Sequence, residues 1–281
     1  MSYKTVLVHT DLSSQAAKRI RLATHIACSH RSHLIGAAMC GFPVEYYRTA
    51  AMMFAGPVPQ TEFDRLRMEA EQALTRFETM VNAADVQSFE RRLCDDDTRS
   101  AMVVQARYAD LVVLSQSDPG DAGASQTDDL AEHVAMYGGR PVLVVPYAGR
   151  FERIDHHALV AWDGSRAAIR AVTDAIPLLR RSARVTLAIF NPECQFGVHG
   201  EQPGADMALY LARHGVNVEV MVQQTPDGLD VGNALLSLAS DLGVDLMVMG
   251  AYGHLRWREL VMGGVTRTVI RTMTVPVLMA H

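Results

Sequence analysis

The chain has 281 residues, of which 49% are hydrophobic and 20% charged, with a mean hydropathy near zero. This is the composition of folded globular protein and excludes a largely disordered chain, and the length suits two domains of about 140 residues. A formal charge of −5 and a pI near 6.1 speak against the basic face that nucleic-acid binding requires, and no apolar run approaches the roughly 20 residues that span a bilayer.

The chain opens on a short apolar run, Thr5-Val-Leu-Val-His-Thr, which ends at Asp11. It lacks the length and the small-residue cleavage site of a secretion signal and reads as a first strand over 5–10, so a cytoplasmic location is expected. Further strands are expected near 34–39, 86–93, 110–114 and 141–146. Between them lie helical patterns, among them a long helix from Thr61 to Ala83. An insertion with Tyr46, Tyr47, Met52, Met53 and Phe54 occupies about 40–60, and such a stretch is either a packed loop or a lid. A linker follows near Tyr147 to Asp155. The pattern then begins again: strand Leu159 to Trp162, helix Ser165 to Arg180, strand Val185 to Phe190 and a period-two strand Val216 to Val222. Val231, Leu235, Leu238 and Leu242 recur at helical spacing. A buried run Leu246 to Met249, a helix near Val265 to Met273 and a last strand Val275 to Ala280 complete the order. Strands alternating with helices predict parallel sheets.

The two halves are copies. Ala109-Asp110-Leu-Val-Val-Leu114 resembles Val244-Asp245-Leu-Met-Val-Met249, and Pro141 falls as far beyond Asp110 as Pro276 does beyond Asp245. Thr5-Val-Leu-Val-His-Thr-Asp11 likewise resembles His157-Ala-Leu-Val-Ala-Trp-Asp163. The expected domains are 1–148, which carries the insertion, and 156–281. The expected fold is α/β, two tandem open five-stranded parallel sheets with helices on both faces. A strand edge as apolar as Val142 to Val145 or Val275 to Met279 needs a partner, so these two strands are expected to face one another in an intramolecular pseudo-dimer.

Parallel sheets bind ligands outside the carboxyl ends of their strands. There, after the fourth strand of the second half, stand Gly250-Ala-Tyr-Gly253 and, nine residues on, Gly263-Gly264-Val-Thr266 at the start of the last helix. Glycines allow close backbone approach and a helix start offers amides, which together make a phosphate cradle. His254, Arg256 and Arg258 lie between the glycines and are either solvated surface or contacts for outer phosphates. In the first half, the aligned positions hold Ser115, Asp118, Asp128 and Asp129. Three carboxylates in place of glycines repel a triphosphate.

With Asp163-Gly164-Ser165 closing the first strand of the second half, the spacing G-x2-G-x9-G resembles that of the ATP-binding subgroup of the universal stress protein family. The resemblance covers both halves. It implies that Asp163 and the backbone near Ile189 hold an adenosine, and that Gly250, Gly253, Gly263 and Gly264 hold its phosphates. The family's usual hydroxyl or amide residue after the last glycine is replaced by Gly264, with Thr266 two positions on, which removes one phosphate hydrogen bond. The implied ligand is ATP, alone or with Mg2+, one per chain and in the second half only. The implied role is a stress-response module whose nucleotide state alters contacts with protein partners that the residues do not identify. Neither nucleic acid nor membrane is expected as a partner, and further homodimerisation stays open. A scaffold that binds no nucleotide and a slow ATP hydrolase are the alternatives. Neither catalytic nor metal-ligating residues are expected: Cys28, His30 and His33 lack a fourth ligand nearby, and Ser13, Ser14 and Ser165 read as helix caps rather than nucleophiles.

Overall fold

The computed structural model describes residues 2–43, 46–49, 58–120, 129–194, 201–225, 230–252 and 264–281. By contacts the chain divides into two units, one spanning Tyr3–Arg140 and the other containing Pro141–His281.

In the first unit, β1 (Thr5–His9), β2 (His33–Met39), β3 (Phe89–Cys94) and β4 (Leu111–Ser115) lie in the order β3-β2-β1-β4. All three pairings are parallel. The helices are α1 (Ala16–His30), α2 (Gln60–Ala83), α3 (Thr98–Ala106) and α4 (Leu130–Tyr137). Val6, Leu7, Val8 and the run Leu111 to Leu114 are fully buried, as expected for central strands of a parallel sheet covered on both faces. α1 turns Ile20, Ala23, Ile26 and Ala27 into this core.

The second unit repeats the plan with β6 (His157–Ala161), β7 (Arg184–Phe190), β8 (Val218–Gln223), β9 (Leu246–Gly250) and β10 (Val277–Ala280), in the order β10-β9-β6-β7-β8. These strands are mutually parallel. The helices are α5 (Arg166–Leu179), α6 (Ala205–Arg213), α7 (Val231–Asp241) and α8 (Val265–Thr272). β5 (Val142–Val145) pairs antiparallel with β10, Leu143 opposite Leu278. The repeat alignment counts β5 with the first half, yet the division falls between Arg140 and Pro141, so that β5 packs in the second unit. Its four residues are all buried, and pairing with β10 satisfies backbone groups that an apolar edge would leave open.

The best-matched motif of the repeat has a structural cause. The Asp110 carboxylate accepts the amides of Lys4 (2.6 Å) and Thr5 (3.0 Å). The Asp245 carboxylate accepts those of His156 and His157, both at 2.8 Å. In each unit an aspartate just before the fourth strand of the repeat therefore clamps the start of the first and sets the register of two adjacent parallel strands.

The insertion is described only in part. Residues 46–49 form a helical turn. Tyr46 stacks on Phe42 with ring centroids 4.2 Å apart, and Phe63 of α2 meets Phe42 edge-on at 5.2 Å. Met52, Met53 and Phe54 lie outside the described residues. No described helix is long and apolar enough to cross a membrane.

Candidate functional site

In the second unit the chain leaves β6 toward β7 on one side, while β9 pairs on the other. The gap between the carboxyl ends of β6 and β9 is thus a topological switch point. Asp163 lies two residues past β6, and its Oδ1 accepts the Ser165 amide at 2.9 Å. The turn between them needs Gly164, whose φ of 70° is left-handed. This places Ser165 as the N-cap of α5, with Oγ accepting the Ala168 amide at 3.1 Å.

Ile189 is the penultimate residue of β7 and is wholly buried. A β-carbon at Gly204 would fall 2.6 Å from its Cδ1, so the side chain belongs to the core and Ile189 has only backbone to offer a ligand. The next turn is pinned by Asn191. Its Oδ1 accepts the Thr225 amide at 2.8 Å, and its Nδ2 donates to Thr225 Oγ1 at 2.7 Å.

Gly250 ends β9 directly against the first turn of α5. A β-carbon there would lie 2.5 Å from the Ala168 nitrogen and 2.8 Å from the Ala167 carbonyl carbon. Both are backbone atoms that cannot swing away, so glycine is required for this close approach. Tyr252 follows with a left-handed φ of 55°, and its amide donates to Thr266 Oγ1 at 3.2 Å. Thr266 is 3% exposed. Its hydroxyl thus ties the residues after β9 to the first turn of α8. Gly264 is the N-cap of α8 and supplies no side-chain cap to the amides of that turn. Gly253, His254 and Gly263, together with Arg256 and Arg258, lie outside the described residues. The structure therefore brings Asp163, Gly250, Gly264 and Thr266 to one end of the sheet, with the end of β7 beside β6.

The matching end of the first unit is built differently. Asp11 follows β1 as Asp163 follows β6, but Leu12 stands in place of Gly164 and takes no left-handed φ. α1 accordingly begins at Ala16, two residues later than α5 by alignment, with Gln15 as an N-cap that makes no side-chain capping bond. The expected caps Ser13 and Ser14 do not cap. Ser13 Oγ donates to Asp11 Oδ1 at 2.6 Å, and Ser14 Oγ accepts from Gln15 Nε2 at 3.1 Å. Where α5 has the buried Ala171, α1 has Arg19, 2% exposed. Its Nε donates to the His9 carbonyl oxygen at 2.6 Å and its Nη1 to Ser115 Oγ at 2.8 Å, while Nη2 lies 2.7 Å from Asp11 Oδ1.

Burial acts to raise the Asp11 carboxyl, but the Arg19 guanidinium, with His9 and the Ser13 hydroxyl, outweighs it and holds the group well below the usual carboxylate range. Burial also pulls His9 down to about 4, against the raising effect of Asp11, so His9 is neutral at pH 7. Of the carboxylates aligned with the glycines, Asp118 accepts from Gln15 Nε2 at 2.9 Å and Asp129 pairs with Arg99 at 2.5 Å. Asp128 lies outside the described residues. Sequence reading missed Arg19, although its signal was present: a lone charge on the buried stripe of α1, with the Asp11 carboxylate a few positions before it.

The family model described as the Universal stress protein family matches residues 156–281. These residues make up most of the second half of the chain, and it is this half that is similar to the universal stress protein family. A universal stress protein of Synechocystis sp. is 35% identical over 74 residues, covering 26% of this chain and 24% of that protein, so the match spans about a quarter of that relative's length. Among solved structures, a universal stress protein from Archaeoglobus fulgidus DSM 4304 superposes with a TM-score of 0.72 at 16% identity, covering 98% of this chain and 94% of its own. A functionally unknown protein from Pseudomonas aeruginosa PAO1 gives a TM-score of 0.58 at 14% identity, covering 98% and 92%. At these identities the superpositions establish the α/β fold across both halves. The family match itself covers the second half, which contains Gly250, Gly253, Gly263 and Gly264.

Proposed function

We propose that the second unit binds an adenine nucleotide, ATP, at the switch point between β6 and β9, and that the bound and empty states differ in their contacts with partner proteins. The observation that carries this reading is Gly250, whose close approach to the α5 backbone sets the end of β9 beside the Asp163 turn, while the Tyr252 amide, bonded to Thr266, brings the start of α8 to the same end of the sheet. The fit is chemical. Asp163 offers an acceptor suited to ribose hydroxyls or an adenine amine, and the first turn of α8 offers amides and the positive end of a helix dipole to phosphates. Among the described residues there is no group of three His, Cys, Asp or Glu that could hold a metal, so Mg2+ would arrive with the phosphates. Cys28, Cys40 and Cys94 are free thiols, in keeping with action in a reducing cytoplasm.

Isothermal titration of the full chain with ATP tests this reading. One site per chain is expected. Gly264→Asp, which imports the first half's Asp129, should weaken ATP about tenfold or more by placing a carboxylate where phosphate would sit. The melting temperature without ligand should hold or rise slightly, since an acidic residue at a helix start stabilises it by about 0.3–1 kcal/mol. Unchanged affinity in Gly264→Asp, or two equal sites per chain, refutes the assignment, and turnover of ATP to ADP would recast the module as an enzyme.

A further inference from the structure

We propose that the first unit is itself a binding domain, and that the cleft at the carboxyl ends of β1 and β4 takes a small organic cation bearing a primary ammonium group. The cleft has a volume of about 390 Å³ and is lined by Thr10, Asp11, Gln15, Arg19, Glu69 and Asp118 among others. Three of its polar side chains are more than nine-tenths buried and carry an atom without a hydrogen-bond partner; Arg19 Nη2 is in ion-pair contact with Asp11, which leaves two orphans, Thr10 Oγ1, on a residue 1% exposed, and Gln15 Oε1, on a residue 8% exposed. Buried polar atoms are nearly always satisfied, so two orphans in one cleft point to a ligand that supplies what they lack.

The Asp118 carboxylate decides which atom of Gln15 is left over. It can only accept, so the amide nitrogen must face it, as the 2.9 Å contact records, and the carbonyl oxygen is the atom left without a donor. The ligand must therefore donate. Its charge follows from the lining. Arg19 is the sole lysine or arginine among the described lining residues, and Asp11 neutralises it at 2.7 Å. Glu69 is paired with Arg65 at 2.7 Å, and His9 is neutral. Asp118 accepts from Gln15 and from the Gly120 amide, both neutral donors, and its charge is not offset by a cation of the lining. An ammonium group carries three donors and one positive charge, matching a hydroxyl, an amide oxygen and a net negative wall. Met39, Leu66 and Leu130 also line the cleft and suit a short aliphatic body.

Titration calorimetry of the full chain at pH 7 with n-butylammonium, tetramethylammonium and n-butanol separates the contributions. The first probe has charge and donors, the second charge alone, and the third neither the charge nor the three donors. Butylammonium is expected to bind at one site per chain, about tenfold or more tighter than either of the others. Thr10→Val and Asp118→Asn should each weaken it several-fold while circular dichroism stays unchanged. Equal response to all three probes, no binding of butylammonium, or full affinity in both variants overturns the proposal. Should a variant fail to fold, amide shifts of the unaltered protein decide: shifts at Thr10, Gln15 and Asp118 support the cleft, and shifts confined elsewhere refute it. Inorganic phosphate competing with butylammonium would also refute it, since an anion would then share the site.

Discussion

The carboxyl ends of β1 and β4 in the first unit, and of β6 and β9 in the second, occupy the same place in the same topology and were built from copies of one sequence. Both carry an aspartate after the first strand of the repeat, and in both units the opposite, amino end of the same strand pair is clamped by Asp110 or Asp245. Among the aligned differences, three set the geometry of the helix start and its approach to the sheet. Gly164, Ala171 and Gly250 in the second unit become Leu12, Arg19 and Ser115 in the first. The small residues let α5 start early, cap itself with Ser165 and press against β9. The larger ones delay α1, bring Gln15 to its start and fill the interior with a guanidinium held by Asp11, Ser115 and the His9 carbonyl. One end of the repeat thus keeps a close backbone approach suited to an anion, while the other has replaced it with a neutralised ion pair and an acceptor-rich cleft.

Three measurements would break or sharpen this contrast. The largest effect is expected from Arg19→Ala, which leaves Asp11, Ser115 and a backbone carbonyl without their common partner. Loss of one member of a buried ion pair costs about 3–5 kcal/mol, with the lower end expected here because the Asp11 side chain is 28% exposed. Denaturant unfolding should show most of that loss recovered in the double variant Arg19→Met with Asp11→Asn, which leaves no lone charge. A double variant no more stable than Arg19→Ala would mean that the pair is not what organises this end.

The second effect is on pH dependence, and it belongs to the first unit, since the residue aligned with His9 is Ala161. The pKa of His9 falls from 6.5 to about 4 on folding, so between those values the unfolded chain binds the additional proton and stability drops as pH falls. The shift corresponds to about 3 kcal/mol, present above pH 6.5 and lost by about pH 4. Asp11 acts in the same direction at still lower pH, because its carboxyl is depressed in the folded state. Unfolding free energies measured across this range should slope accordingly, and His9→Asn should flatten the slope.

The smallest expected effect on stability, and the most direct on function, is that of Gly250→Ser, which imports Ser115 into the second unit. The new β-carbon meets the α5 backbone at 2.5 Å, so helix and strand must part, at a cost of about 1–3 kcal/mol. ATP binding should weaken with it. The reverse change, Ser115→Gly, removes a hydroxyl bonded to Arg19 and should leave the first unit unable to bind phosphate. If Gly250→Ser is both stable and fully able to bind ATP, close approach is not what distinguishes the two ends.

Local pattern alone was sufficient for the repeat, the order of strands and helices and the parallel sheets. These follow from apolar runs four to eight residues long and from helical spacing, which depend on neighbours along the chain. The aspartate after each first strand was legible for the same reason, because a turn selects its residue locally, whereas Gly250 was legible as part of a glycine motif although what requires glycine there is the distant backbone of Ala167 and Ala168. Tertiary structure decided what depends on residues far apart in sequence. That β5 and β10 face one another was expected from their apolar edges, but their antiparallel register, Leu143 opposite Leu278, and the place of β5 in the second unit rest on a partner more than a hundred residues away. Arg19 is interior rather than surface because Asp11, Ser115 and the His9 carbonyl converge on it from two strands and a turn, offsetting a desolvation cost that no single neighbour could meet. The polarity of the first cleft is likewise a sum over Thr10, Gln15 and Asp118, and only folding assembles the terms.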